Sequence, residues 1–148
     1  MLNSDYKEML ELLLDVNCDF IVVGAYALAA HGHPRATGDI DIWVRPAHDN
    51  AISVMKALAA FGAPIVNLTI EDLSQTGNVF QIGVAPCRID ILTNIDGVTF
   101  DEAYQSLVRV EVDGLSVPFL SREMLIKNKL ATGRLKDRAD AEELGFKE

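Results

Sequence analysis

The amino-acid sequence predicts an α/β domain, and three features carry that expectation. Segments with helical apolar spacing alternate with short apolar runs bounded by Gly, Pro, Asn and Asp. Phe20–Val23 is an almost continuous apolar run, as expected of an interior strand covered on both faces. Asp39–Ile40–Asp41–Ile42 alternates strictly, which gives an extended strand one acidic face and one apolar face.

Taken in order, residues 4–16 read as an amphipathic helix capped by Ser4 or Asp5. Asp5 and Glu8 resemble a capping box there, and Met9, Leu10, Leu12, Leu13 and Val16 form the buried side. After a turn at 17–19 and the Phe20–Val23 strand, Gly24 redirects the backbone and residues 25–30 form a short helix. The polar loop 31–38 leads into a strand over 39–45. A helix over 51–61, capped by Asp49, turns Ile52, Met55, Leu58 and Ala59 inward. Residues 62–78 are polar and irregular, with one helical turn near 71–73; their length marks a mobile flap near the site. Strands over 79–84 and 88–92 form a hairpin across 85–87. A short helix over 101–105 precedes strands 107–112 and 115–119, which flank the two-residue turn Asp113–Gly114. Ser121 caps a helix to about Ala131, Gly133 ends it, and residues 135–144 form a last helix.

A chain of 148 residues is expected to form one domain, 1–148, with a core at about 20–120 and a C-terminal helical segment over 121–148. At this length about 70% of the unfolded surface can be buried. No apolar run approaches the ~18 residues of a membrane span, and the N-terminal residues lack the plan of a signal peptide. Cys18 and Cys87 have no metal-binding spacing, so free thiols in a reducing cytoplasm are expected. The net charge of −9 argues against indiscriminate nucleic-acid binding. Residues 122–138 run the other way, with six Lys or Arg against two acids. An acidic body with one basic segment suits a site that holds a polyphosphate between cations; a solvated helix face is the alternative.

The chemistry centres on carboxylates. Asp39 and Asp41 point the same way, and Asp90 lies in a similar apolar-flanked strand. Neighbouring carboxylates raise each other's pKa, and a hard cation between them relieves the repulsion. Mg²⁺ fits, since it takes one or two carboxylates and completes its shell with water and phosphate. Two such ions, about 3.5–4 Å apart, activate an attacking oxygen and stabilise a departing pyrophosphate. A strand–Gly24–helix turn offers backbone N–H groups to a phosphate, although alone it reads more readily as a tight packing corner. His31 and His33 are expected to cap the loop or pack beneath Arg35, and Trp43 and Tyr26 to fill the core. A hydrolytic triad is unsupported, because the three His residues fall in one short segment without a Ser or Cys elbow.

These residues resemble the nucleotidyltransferase superfamily, whose fold includes DNA polymerase beta. The shared pattern is an apolar strand, Gly–Gly or Gly–Ser, a gap of about a dozen residues, Asp–x–Asp, and a third Asp on a later strand. Here it reads Gly24–Ala25, Asp39–Ile40–Asp41 and Asp90. Gly24, Ala27, His31, Gly32, Arg35, Thr37 and Asp39–Asp41 are similar to an extended motif of small prokaryotic proteins related to AbiEii-type toxins, as are Lys129, Ala131, Arg134, Lys136, Asp137 and Asp140 in a C-terminal motif. The resemblance implies a mixed central β-sheet flanked by helices, with C-terminal helices. It implies metal binding, Mg²⁺ or Mn²⁺, by Asp39, Asp41 and Asp90, with Asp90 also helping to activate an acceptor hydroxyl. Gly24 and Ala25 would contact the triphosphate of an NTP such as ATP, and Arg35 and Thr37 would reach phosphate oxygens. Lys129 and Lys136 would supply positive charge, oriented by Arg134 and Asp137. The implied activity moves an NMP to a hydroxyl on an RNA or tRNA end, a protein or a small molecule, within a cytoplasmic toxin–antitoxin-like system that has a protein partner encoded nearby. Ala25 departs from the usual second Gly or Ser and removes a hydrogen bond of roughly 0.5–1.5 kcal/mol. That departure leaves open an inactive, nucleotide-binding or protein-interaction descendant of the fold.

Overall fold

Residues 2–35, 38–84 and 86–147 are described by the computed structural model of the chain. The elements follow in the order α1 (Ser4–Asp15), β1 (Phe20–Val23), α2 (Gly24–Ala30), β2 (Ile40–Val44), α3 (His48–Phe61), α4 (Ile70–Ser74), β3 (Val79–Ile82), β4 (Ile89–Leu92), α5 (Phe100–Ser106), β5 (Val108–Val112), β6 (Leu115–Phe119), α6 (Arg122–Ala131) and α7 (Leu135–Glu143). The six strands form one mixed sheet, ordered β3-β4-β2-β1-β6-β5. β1 is buried at all four residues because strands flank it on both sides, β2 antiparallel and β6 parallel.

Register fixes which side chains share a face. Val22, Ile42, Ile91 and Phe80 stand opposite one another across four strands, and so do Val23, Asp41, Asp90 and Gln81. Leu68 and Leu73 close over Phe80 and Ile91 on the first face. On the second, Trp43 packs edge-on against Phe100 of α5, with ring centroids 5.0 Å apart. The expected hairpin at Asp113–Gly114 is present, with φ of 50° and 83° at its two central residues.

Five expectations need correction. Asn3, not Ser4 or Asp5, caps α1: its extended backbone lets its side chain accept from the Tyr6 N–H. The buried face of α1 is Tyr6, Met9, Leu10 and Leu13, while Leu12 and Val16 are only partly covered. α3 starts at His48 with Ala47 at its N-cap, so Asp49 lies inside the first turn. Its buried residues are Ala51, Val54, Ala57 and Leu58, whereas Ala59 is exposed. α3 is apolar on several sides, and packing against α1 and α4, rather than spacing, selects the inward one. Finally, residues 62–78 do not form a flap beside the aspartates. Thr69 and Asp72 close a capping box on α4, and Leu73, 1% exposed, anchors that helix to the opposite face of the sheet.

Candidate active site

Asp41 is the second residue of β2, and the parallel register places Asp90 of β4 beside it. Burial raises the Asp41 pKa to about 6, helped by the Asp90 charge, a hydrogen bond between the two carboxyls and the more distant Asp39, while Arg88 works against the rise. Such a pair is held by a proton or by a cation, because two adjacent half-buried carboxylates cannot both be ionised cheaply.

Arg88 is the local cation. Its Nε donates to Asp90 Oδ1 at 2.9 Å and its Nη2 to Asp90 Oδ2 at 3.1 Å. The same Nη2 lies 2.9 Å from Asp39 Oδ2. Asp39 thus reaches the pair through Arg88, not through a common point. Among the described residues no three acidic, His or Cys side chains converge on a single ion position as they stand. Three carboxylates against one guanidinium leave a local charge of about −2, which a divalent cation matches. The donor set, oxygen only, is that of a hard ion. Asp39, Asp41 and Asp90 are therefore the side chains that could hold one.

Gly24 shapes the other wall. Its φ is +67°, and a Cβ there would run into Asp41 Oδ2. Only glycine allows the turn after β1 to lie directly against that carboxylate. Ala25, the next residue, lines a cleft of about 290 Å³ together with Leu28, Arg35, Lys129, Lys136, Asp137 and Asp140. The Gly24–Ala25 dipeptide thus borders both: Gly24 lies against Asp41 and Ala25 lines the cleft.

The cleft cations are largely engaged. Arg35 bonds Asp140 at 2.5 Å and Glu143 at 3.0 Å. Lys129 lies 3.3 Å from both Asp137 and Asp140, and Arg134 lies 3.0 Å from Asp137. Burial pushes the Asp137 pKa up, but the Thr132 hydroxyl, then Lys129 and Arg134, outweigh it and hold the carboxyl below its usual range. Lys136 is exposed at the cleft and has no carboxylate partner among the described residues. Thr37, expected at a phosphate, lies outside the described residues.

Other expectations resolve structurally. His31 ends α2 and its Nε2 contacts the Leu120 carbonyl at 2.8 Å, tying α2 to the start of α6. Trp43 is core, 1% exposed. Tyr26 meets Tyr6 edge-on at 5.9 Å, and the Tyr6 hydroxyl donates to the Arg88 carbonyl at 3.2 Å. Sequence reasoning missed Arg88 as the bridge, Asp140 as the carboxylate shared by Arg35 and Lys129, and Gln81, exposed beside Asp90 on the same face. Arg88–Ile89–Asp90 alternation was the available signal for the first; nothing local signalled the other two.

The family described as "Nucleotidyltransferase of unknown function (DUF6036)" matches residues 1–147. The chain belongs to that nucleotidyltransferase family. The crystal structure of a candidate nucleotidyltransferase from Thermotoga maritima is similar in fold at 17% identity, with a TM-score of 0.62, covering 97% of this chain and 94% of that one. No curated protein matches. Family and fold agree with the superfamily expected from the sequence, without reaching the narrower likeness to AbiEii-type toxins. No helix among the described residues is long and apolar enough to cross a membrane.

Proposed function

We propose that this nucleotidyltransferase-family chain is a Mg²⁺- or Mn²⁺-dependent enzyme that moves an NMP from an NTP to a hydroxyl acceptor and releases pyrophosphate. The observation that carries the reading is the Asp41–Asp90 pair on adjacent strands, set against the Gly24 turn with no room for a side chain. Asp39, Asp41 and Asp90 would hold the cations, which supply charge neutralisation for the triphosphate and its leaving group. The Gly24–Ala25 backbone orients the triphosphate along the cleft, toward Lys136 and the Arg35–Lys129–Arg134 cluster. Asp90 takes the proton as the acceptor oxygen bonds to the α-phosphorus. The bond from that phosphorus to the bridging oxygen breaks, and its electron pair leaves with pyrophosphate. Positioning and charge are sufficient for this chemistry, which is why so few side chains are required.

Incubation with labelled ATP, GTP, CTP and UTP and a cell extract tests the reading. Label transferred to RNA, tRNA, protein or a small molecule, with pyrophosphate release abolished in Asp41→Ala, supports it. Label on an RNA or protein encoded beside this gene would add the toxin–antitoxin-like setting that the motif resemblance supports.

A second reading has its own support: Arg88 already pairs with Asp39 and Asp90, Ala25 replaces a hydroxyl or glycine position, and the cleft cations Arg35 and Lys129 are paired. It makes the chain a nucleotide-binding or protein-interaction module. Metal-dependent ATP binding without turnover on any pooled acceptor would favour it.

A further inference from the structure

β5 is an open edge of the sheet, and its sequence is Val108–Arg109–Val110–Glu111–Val112. The Leu120 N–H donates to the Val22 carbonyl, so Leu120 faces β1. Strand alternation then turns Phe119, Val117 and Leu115 toward β5, where their partners are Val108, Val110 and Val112. The polar groups of Arg109 and Glu111 therefore point out from the edge with no strand beyond them. The register of β5 against β6 is unbroken over five pairs, with no bulge, and β5 contains no proline. A bulge or a proline is a usual guard of an edge, and charged side chains, here Arg109 and Glu111, are another.

An antiparallel second copy of β5 can meet this edge in three registers that align outward groups with outward groups. Centred on Arg109 it opposes Arg109 to itself. Centred on Glu111 it opposes Glu111 to itself. Centred on Val110 it opposes Arg109 of each copy to Glu111 of the other, twice, and makes both pairs hydrogen-bonded ones. Directly opposed unlike charges stabilise a ladder and like charges destabilise it. Glu111 has no ion pair within its own chain among the described residues, and Arg109 donates only to the Ser116 carbonyl at 3.2 Å. On the other face of the same strand, Val108 and Val110 are each 36% exposed. Val110 and Val112 also wall an apolar groove with Leu2, Tyr26 and Phe119. The other edge, β3 (Val-Phe-Gln-Ile), has no charged residue and so nothing to select a register.

We infer that β5 is a self-complementary interface: two copies of this chain join through it, antiparallel and centred on Val110, into one continuous sheet. The valine stripes meet across the two-fold axis on one face, and two Arg109–Glu111 pairs lie on the other. That second face is also the one that carries Asp41 and Asp90, so both candidate sites open on the same side of the joined sheet.

Sedimentation equilibrium of the full chain over a concentration series tests this. The expected species has twice the 16.2 kDa chain mass. Arg109→Glu and Glu111→Arg each oppose like charges and should weaken self-association at least tenfold, with unchanged circular dichroism. The double swap R109E/E111R recreates the complementary pattern and should restore it. Glu111→Pro removes an outward N–H but no bond to β6, and should give a folded monomer. A wild-type monomer at all concentrations, a dimer indifferent to the single swaps, or a double swap that fails to recover would each overturn the inference.

Discussion

Asp41 places functional geometry and folding stability in opposition. Its carboxyl is half-buried beside Asp90 and its pKa is raised to about 6, so ionising it costs the fold. Asp41→Asn keeps the shape, removes the charge and lets an amide N–H donate to Asp90. Metal-free Asp41→Asn should be more stable than the parent by about 1–2 kcal/mol, since each unit of pKa shift is ~1.4 kcal/mol and the pair shares part of the effect. Denaturant midpoints in EDTA check this, and the same variant should lose nucleotidyl transfer. Gly24→Ala should go the other way. A positive φ and a Cβ against Asp41 Oδ2 predict a loss of about 2–3 kcal/mol together with displacement of the carboxylate. Arg88→Ala leaves three carboxylates without their guanidinium, so its melting temperature should fall in EDTA and recover more than the parent's when Mn²⁺ is added. Equal recovery in both proteins would count against a cation among these aspartates.

At the scale of elements, α6 and α7 are held to each other and to the loop before β2 by charge rather than by apolar area. The buried members of α7 are Asp137, Asp140 and Ala141. Asp140, 4% exposed, joins Arg35 of the loop to Lys129 of α6. Asp140→Ala removes the carboxylate that Arg35 and Lys129 share, each keeping one other partner (Glu143 and Asp137), and should cost about 1.5–3 kcal/mol, the range for a hydrogen bond to a charged group; proteolysis should then reach α7 first. Asp137 adds a pH dependence. Its pKa is held below the usual carboxylate range in the fold. A depressed carboxyl stabilises the fold above its unfolded value and loses that contribution as pH falls through the folded one. Docking of α7 should therefore weaken as pH falls below the usual carboxylate range, where Asp137 of the undocked segment takes up a proton that the docked one resists. Hydrogen exchange across 135–143 read between pH 3 and 6 measures this, and Asp137→Asn should flatten the acid limb.

For the whole molecule, a net charge of −9 coexists with a concentrated acidic site and a cleft whose cations are mostly matched to carboxylates. A bound divalent cation should stabilise the entire fold, because it joins side chains of β2 and of β4 with Asp39 in the loop before β2. At a free concentration 100-fold above its dissociation constant the gain is about 2.7 kcal/mol. A melting curve that ignores Mg²⁺ and Mn²⁺ over a wide range would remove the metal-dependent reading while leaving fold and family untouched.

The sequence alone determined the strands that carry the site, because their signals are local: the apolar run Phe20–Val23, the Asp–Ile alternation at 39–42, the Asp113–Gly114 turn and the Ser121 cap each fix backbone shape within a few residues. It also set out the superfamily pattern at Gly24, Asp39, Asp41 and Asp90. Tertiary structure decided the rest. Whether Asp41 meets Asp90 depends on the parallel register of strands about fifty residues apart, and whether Lys129 and Arg35 are free depends on where α7 places Asp140. Neither pairing has a local spacing that could announce it. Long-range contacts choose among partners by the shape and charge of whole elements, so the site's residues were readable from the chain while their alliances were not.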